Sequence, residues 1–189
     1  MKKILFFGFI VGIALAFSPG NFDKYDYNAP NGYYKTEEDF KNRNLSTDIK
    51  LSHFGTNTIF DSKKKRRFCK SLGWYGFAFD NQDFFIVNNN INIVMNNEGK
   101  IKVIGSGPEK MLNGNGEYAW MCTDLMLKKE GVNNGEWDGK FDLTEYFSDY
   151  PELLEDWKKN RIKIGQVSAV LPQKIEYINK YNAYFAKKK

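Results

Sequence analysis

Between Leu51 and about Leu127 the chain runs in short apolar segments separated by Asn, Gly and Asp. The segments "WYGFAF" (74–79), "DFFIVN" (83–88), "INIVM" (91–95), "IKVIG" (101–105) and "YAWMCTDLML" (118–127) are rich in aromatic and β-branched side chains, which suit a pleated, half-buried surface. Each reads as a strand, and Asn96-Asn97-Glu98-Gly99 reads as a hairpin turn between two of them. Past Phe141 the period changes. Trp157, Ile164, Leu171, Ile178 and Phe185 recur every seven residues, which keeps them on one side of a helix, and Leu154 and Ile175 widen the stripe. Asp149 followed by Pro151 marks a helix start. Gly165 and Pro172 interrupt the pattern and predict a kinked helix or two helices meeting near Leu171. An isolated helix does not hold such a stripe in water, so it must lie on the sheet, on another helix or on a partner, with Trp157 as its anchor.

Ahead of the strands, "FDKYDYNAPNGYYKTEEDFKNR" is polar and turn-rich. Thr36 stands three residues before Asp39, a capping-box spacing that predicts a short helix near 36–43, with Glu37, Glu38 and Asp39 at the favourable end of its dipole. The expected fold is therefore α+β. A small antiparallel sheet or partly open barrel spans 17–141, and a helical segment, 142–189, packs on that body or on a partner. Trp74 and Phe77 lie within an apolar run and are expected to be buried. Tyr25, Tyr27, Tyr33 and Tyr34 lie ahead of it and are the better surface candidates for stacking a sugar or anchoring a partner.

The opening "MKKILFFGFIVGIALAFSPG" has Lys2 and Lys3, an apolar run from Ile4 to about Ile13 and the small-x-small triplet Ala14-Leu15-Ala16. This is the pattern of a secretory signal peptide, 1–16. The run is short of the roughly 20 residues that span a bilayer, and no later segment is apolar enough to do so. The expectation is an exported, periplasmic or secreted, chain without a membrane span after cleavage, of a size for one domain with a real core. Loss of Lys2 and Lys3 lowers the net charge from +5 to +3, too weak an excess to point to nucleic acid. The one basic cluster, Lys63-Lys64-Lys65-Arg66-Arg67, reads as a solvated loop or a guarded strand edge, with an anionic surface partner as the functional alternative.

Two cysteines, Cys69 and Cys122, would sit in a compartment where disulfides persist. A bridge between them would constrain the unfolded chain by roughly 4 kcal/mol. Both lie in apolar strand-like runs, so two separate buried thiols are the alternative, and spacing alone does not place their Cα atoms within reach.

"NGEWDGKFDLTE" (134–145) falls on the twelve-position template of an EF-hand calcium loop, with Asn134, Glu136, Asp138 and Glu145 at ligand positions, Gly139 at the turn and Phe141 at the apolar place. The residues before it alternate as a strand, whereas an EF-hand needs a helix there. Other chemistry leaves less trace. His53 is the only histidine and has neither a nucleophile pattern nor a metal-ligand partner, so it reads as an ordinary side chain. Asp80, Asp83, Glu98 and Asp124 are carboxylates of the kind a glycosidase pairs. "IGSGPEKM" (104–111) and "GNGEYA" (114–119) lack the features of phosphate-binding glycine loops. No cofactor is implied.

"NGYYKTEEDF", "GWYGFAF", "QDFFIV", "IKVIG", "YPELLEDWKK" and "YINKYN" together resemble a family of small exported proteins of unknown function common in Bacteroidota. The resemblance spans most of the chain after the leader, apart from the basic run and 165–172. It implies a β-rich body, a helical C-terminal end, a cell-envelope or secreted location and no catalytic residues. It also implies a turn at Asn133-Asn134-Gly135 and Asp142 as a helix cap. The leading expectation is a non-enzymatic exported module that binds or braces an envelope protein or glycan. An envelope glycan or peptidoglycan hydrolase and a calcium-binding protein are the alternatives.

Overall fold

The computed structural model describes residues 25–112, 117–140, 142–162 and 167–188. In chain order its elements are β1 (Gly32–Tyr34), α1 (Glu37–Lys41), β2 (Leu51–Phe54), β3 (Thr58–Asp61), β4 (Arg66–Phe68), β5 (Gly76–Phe79), β6 (Gln82–Val87), β7 (Asn90–Asn96), β8 (Ile101–Ser106), β9 (Glu109–Leu112), β10 (Tyr118–Met121), β11 (Asp124–Lys129), α2 (Leu143–Tyr146), α3 (Pro151–Asn160) and α4 (Val167–Ala186). The main sheet is open and antiparallel, in the order β1-β5-β6-β7-β8-β11. Strands β2-β3-β4 form a second sheet and β9-β10 a two-stranded ribbon. The hairpins β5–β6 and β6–β7 turn through Asp80-Asn81 and Asn88-Asn89, where both residues of each pair have positive φ. That is the conformation whose twist matches the flanking strands, and Asn and Asp tolerate it better than most residues.

Alternation along the strands divides the main sheet into two apolar faces. On the front, Phe77, Phe79, Phe84, Ile91 and Ile93 pack with Tyr33, Leu51, Ile59 and Cys69 under the small sheet. Farther along the same face, Ile101, Val103, Leu125 and Leu127 pack with Tyr146, Phe147, Trp157, Ile178 and Tyr181 under the helices. On the back, Tyr34, Ala78, Phe85 and Ile104 pack with Phe40 of α1. This short helix carries the expected capping box: the Thr36 hydroxyl accepts from the Asp39 amide at 3.1 Å, and the Thr36 amide donates to the Asp39 carboxylate at 3.1 Å.

The helical stripe lies on the protein's own sheet. Trp157 and Ile178 are buried in that core, and Leu154, Leu171, Ile175 and Phe185 pack against it; Ile164 lies outside the described residues. The helix break differs in place from the expected one. α3 ends at Asn160 and α4 begins by Val167, so the interruption precedes Leu171, and Pro172 sits inside α4. The residues that follow Pro172 supply the reason, since Tyr177, Ile178 and Tyr181 bury a face that holds α4 in place. Gln173 then ties the two helices together, accepting from the Ile162 amide and donating to the Asn160 carbonyl, each at 2.9 Å. The segment 118–127 also differs, being two strands, β10 and β11, in two different sheets, with Cys122 and Thr123 between them. None of the described helices is long and apolar enough to cross a membrane. The leader residues 1–16 lie outside the described residues.

Candidate functional site

A cleft of about 670 Å³ opens where β8 begins and β11 ends, and Glu37, Lys100, Lys102, Lys128, Lys129, Glu130 and Asp149 are among its lining residues. Strand register explains this concentration of lysines. Because Lys128 pairs with Lys102 and Lys129 with Ile101, Lys102 and Lys128 stand directly opposite each other, while Lys129 shares the front face with Ile101. Glycines with positive φ, Gly131 and Gly135, form part of the loop wall beyond β11.

The four lysines are held differently. Lys129 is buried; its Nζ donates to the Tyr146 carbonyl at 2.7 Å and to Asp149 at 2.8 Å, and it lies over the Tyr181 ring. The Tyr181 hydroxyl also donates to Asp149, at 2.7 Å. Burial works to raise the Asp149 carboxyl, but the hydrogen bonds from Lys129 and Tyr181 outweigh it and hold the carboxyl below its ordinary range. Burial pushes the Tyr181 phenol upward, and the Asp149 carboxylate adds to that rise. Lys100 lies over the Phe185 ring at 3.8 Å. Lys102 reaches Glu37 only at 3.8 Å, and Glu37 is nearer to Lys41, at 3.3 Å. The Lys128 side chain has no ion-pair or hydrogen-bond partner among the described residues. The cleft thus offers two half-buried ammonium groups, Lys102 and Lys128, while Asp149 is taken up by Lys129 and Tyr181, Glu37 lies nearer to Lys41, and Glu130 is exposed at the rim. Its chemistry suits an anion.

A second region stands apart from this cleft. The ribbon β9–β10 is tied to the sheet through Asp80, whose buried carboxylate accepts from Lys110 at 2.5 Å, from the Trp120 indole at 2.9 Å and from the Asp26 amide at 2.6 Å. Trp120 stacks on Phe54, with ring centroids 5.4 Å apart. Beyond that anchor the ribbon exposes Met111, Leu112, Tyr118 and Met121, and Met95 is exposed on β7.

The residues singled out in the sequence are scattered over other parts of the fold. The loop with Asn134, Glu136 and Asp138 follows strand β11 through a short 3-10 turn at Asn133–Gly135, not the helix that a calcium loop requires. Asp138 accepts from the Asn133 amide side chain at 2.6 Å and bridges to Leu127 through its backbone, while Glu145 lies in α2, which Asp142 caps by accepting from the Thr144 amide. Phe141 lies outside the described residues. Among the described residues no group of three or more His, Cys, Asp or Glu side chains is placed to hold a metal ion.

Cys69 and Cys122 are both free thiols. Cys69 is buried in the short turn after β4, and burial pushes its thiol up to about 11. Lys63, Lys64, Lys65, Arg66 and Arg67 form the β3–β4 hairpin, at the outer strand of the small sheet. Asp61 organises that turn, accepting from the Lys63 and Lys65 amides and from the Arg67 guanidinium at 3.1 Å. Tyr33 and Tyr34 are core residues, contrary to their expected exposure, because β1 pairs with β5 and inserts them on opposite faces; Tyr27 remains exposed. Phe77 is buried as expected, whereas Trp74 is half-buried, stacked on Tyr33 at 4.1 Å. His53 stacks on Phe60 at 4.3 Å. Among the candidate carboxylates, Asp80 holds the ribbon, Asp83 pairs with Arg43, and Glu98 and Asp124 are exposed.

Sequence reasoning missed Lys102 and Lys128. Each sits in an apolar run that marks its strand, but the register that sets them opposite one another has no local signal. No family model, curated protein or solved structure matches the chain.

Proposed function

We propose that the chain is an exported, non-enzymatic binding module of the cell envelope, and that its lysine cleft seats an anionic group of an envelope glycan, a uronate carboxylate or a sugar phosphate. The Lys102–Lys128 pair carries this reading. Like charges directly opposite on adjacent strands destabilise a sheet by roughly 0.2–1 kcal/mol. An anion between the two ammonium groups removes that repulsion and takes charge-assisted hydrogen bonds from both. Export is supported by the leader-like opening and by the resemblance to small exported proteins. The non-enzymatic part is supported by the resemblance, which carries no catalytic residues to this chain; Asp149, bonded to Lys129 and Tyr181 and held below its ordinary range, does not suit the general acid of a glycosidase.

The test is calorimetric titration with tetragalacturonate, its neutral methyl ester and pyrophosphate, at low and physiological salt. The reading expects saturable binding of at least one anionic probe, none of the ester, weakening with salt, and at least about a tenfold loss in Lys102→Gln/Lys128→Gln. Failure of both anions to bind, or binding that the double replacement leaves unchanged, would overturn it.

A further inference from the structure

Three methionines, Met95, Met111 and Met121, are 43%, 50% and 54% exposed, unusual for a side chain that normally fills core gaps. Met111 and Met121 lie on the ribbon that leads into Cys122, and Met95 lies on β7. The Cys122 Sγ is 4.0 Å from the Met95 Sδ. Both sulfurs occupy places shaped for them. The β7–β8 ladder shifts register between Val94 and Asn96, leaving Met95 without a ladder partner, a bulge of the kind that re-aims a side chain. Beneath the thiol is Gly105, in the interior of β8, where a Cβ would come within 2.6 Å of the Cys122 Cβ and Sγ. A glycine there weakens the strand, and what it provides is room for the thiol.

We propose that Cys122 and Met95 form a surface site for copper(I). Thiolate and thioether are soft ligands that favour this ion over hard cations. At a metal–sulfur distance of about 2.3 Å, two sulfurs 4.0 Å apart subtend about 120° at the ion, the angle of trigonal coordination. Binding forms the copper–sulfur bonds and releases the thiol proton to water, with no change in oxidation state. Burial, with Asp124 nearby, raises the thiol, and binding has to displace its proton. Cys69, buried beneath the small sheet, is no part of the site.

The experiment is anaerobic titration of the protein with copper(I) against bicinchoninate, with variants first checked for folding by circular dichroism. One ion per chain is expected, with binding abolished in Cys122→Ser, weakened at least about tenfold in Met95→Leu, and retained in Cys69→Ser. X-ray absorption of the loaded wild-type protein should show at least two sulfur neighbours per copper, a readout independent of how the variants fold. Undiminished binding in Cys122→Ser or Met95→Leu, loss in Cys69→Ser, or a copper shell of fewer than two sulfurs would overturn the proposal.

Discussion

At the β8–β11 end the front of the main sheet is closed by helices, and Tyr146, Phe147, Ile178 and Tyr181 in that cover are fully buried. At the β5–β7 end the cover is a three-stranded sheet together with a ribbon whose outer positions stay exposed. Each end has a lysine–carboxylate pair, Lys129 with Asp149 in the first and Lys110 with Asp80 in the second. In the helical half the pair lies at the margin of a continuous apolar core, Lys129 buried and the Asp149 side chain 43% exposed, whereas in the ribbon half both side chains are largely buried. In the ribbon half, Asp80 is the point where the strand body grips both ribbon strands, through Lys110 of β9 and Trp120 of β10. The same chemistry thus supplements packing in one half and replaces much of it in the other. The helical half should fail through lost volume, the ribbon half through lost charge.

The largest effect belongs to Trp157. Truncating it to alanine removes a buried side chain that meets Phe147 and Tyr177 edge-on, and should lower unfolding stability by about 3–5 kcal/mol in denaturant titration. Its indole Nε1 is buried without a hydrogen-bond partner among the described residues. Trp157→Phe should therefore recover most of the loss, because phenylalanine restores volume and brings no unsatisfied donor. Equal losses in the two variants would show that volume is not what the helical half depends on.

Asp80→Asn comes next, at about 3 kcal/mol, the low end for an orphaned buried charge because the Lys110 side chain keeps 11% exposure. Native-state hydrogen exchange locates the damage. Protection should fall across 109–112 and 118–121 and persist in β8 and β11. A uniform fall would mean that the ribbon is no separate unit.

Asn182→Ala should cost about 1–2 kcal/mol. From α4 its side chain accepts from the Ile101 amide at 3.0 Å and donates to the Ile101 carbonyl at 2.9 Å, so it pairs with the start of β8 where the ladder with β7 has stopped. Gly99 gives that side chain its space, since a Cβ there would overlap the Asn182 amide. Gly99→Ala should match Asn182→Ala, and the double replacement should cost less than the two added together, which thermal unfolding of all three would reveal.

The strands were legible wherever a run of aromatic and β-branched residues stood alone. "DFFIVN" became β6, "INIVM" β7 and "IKVIG" β8, because burial on both faces left an apolar signal at nearly every position. The capping box was equally local and took its expected place, and of the seven-residue stripe Trp157, Leu171, Ile178 and Phe185 face the core, though the helix break precedes Leu171. What stayed hidden depends on partners distant in sequence. Tyr33 and Tyr34 looked like surface residues because nothing near them announces pairing with 76–78. The run 118–127 read as one strand, since its apolar character does not show that Cys122 and Thr123 pass the chain from ribbon to sheet. The calcium-loop template was met at most of its positions, with Asn134 and Glu136 as weaker members, while the element before it is β11. Lys102 and Lys128 were inconspicuous for the same reason, as a cross-strand pair exists only once register is set.

That pair also gives the smallest stability effect and the most direct test, because the account holds that Lys128 is kept at a cost to the empty protein. Lys128→Gln should raise the melting temperature of the unliganded protein by about 1–3 °C, from relief of a repulsion of roughly 0.2–1 kcal/mol. The same variant should bind pyrophosphate or tetragalacturonate more weakly than the wild-type protein does. Thermal unfolding with and without the anion reads both quantities at once. A variant that melts higher when empty and gains less from the anion is the predicted result. A variant that melts lower when empty and gains as much from the anion as the wild-type protein would contradict it.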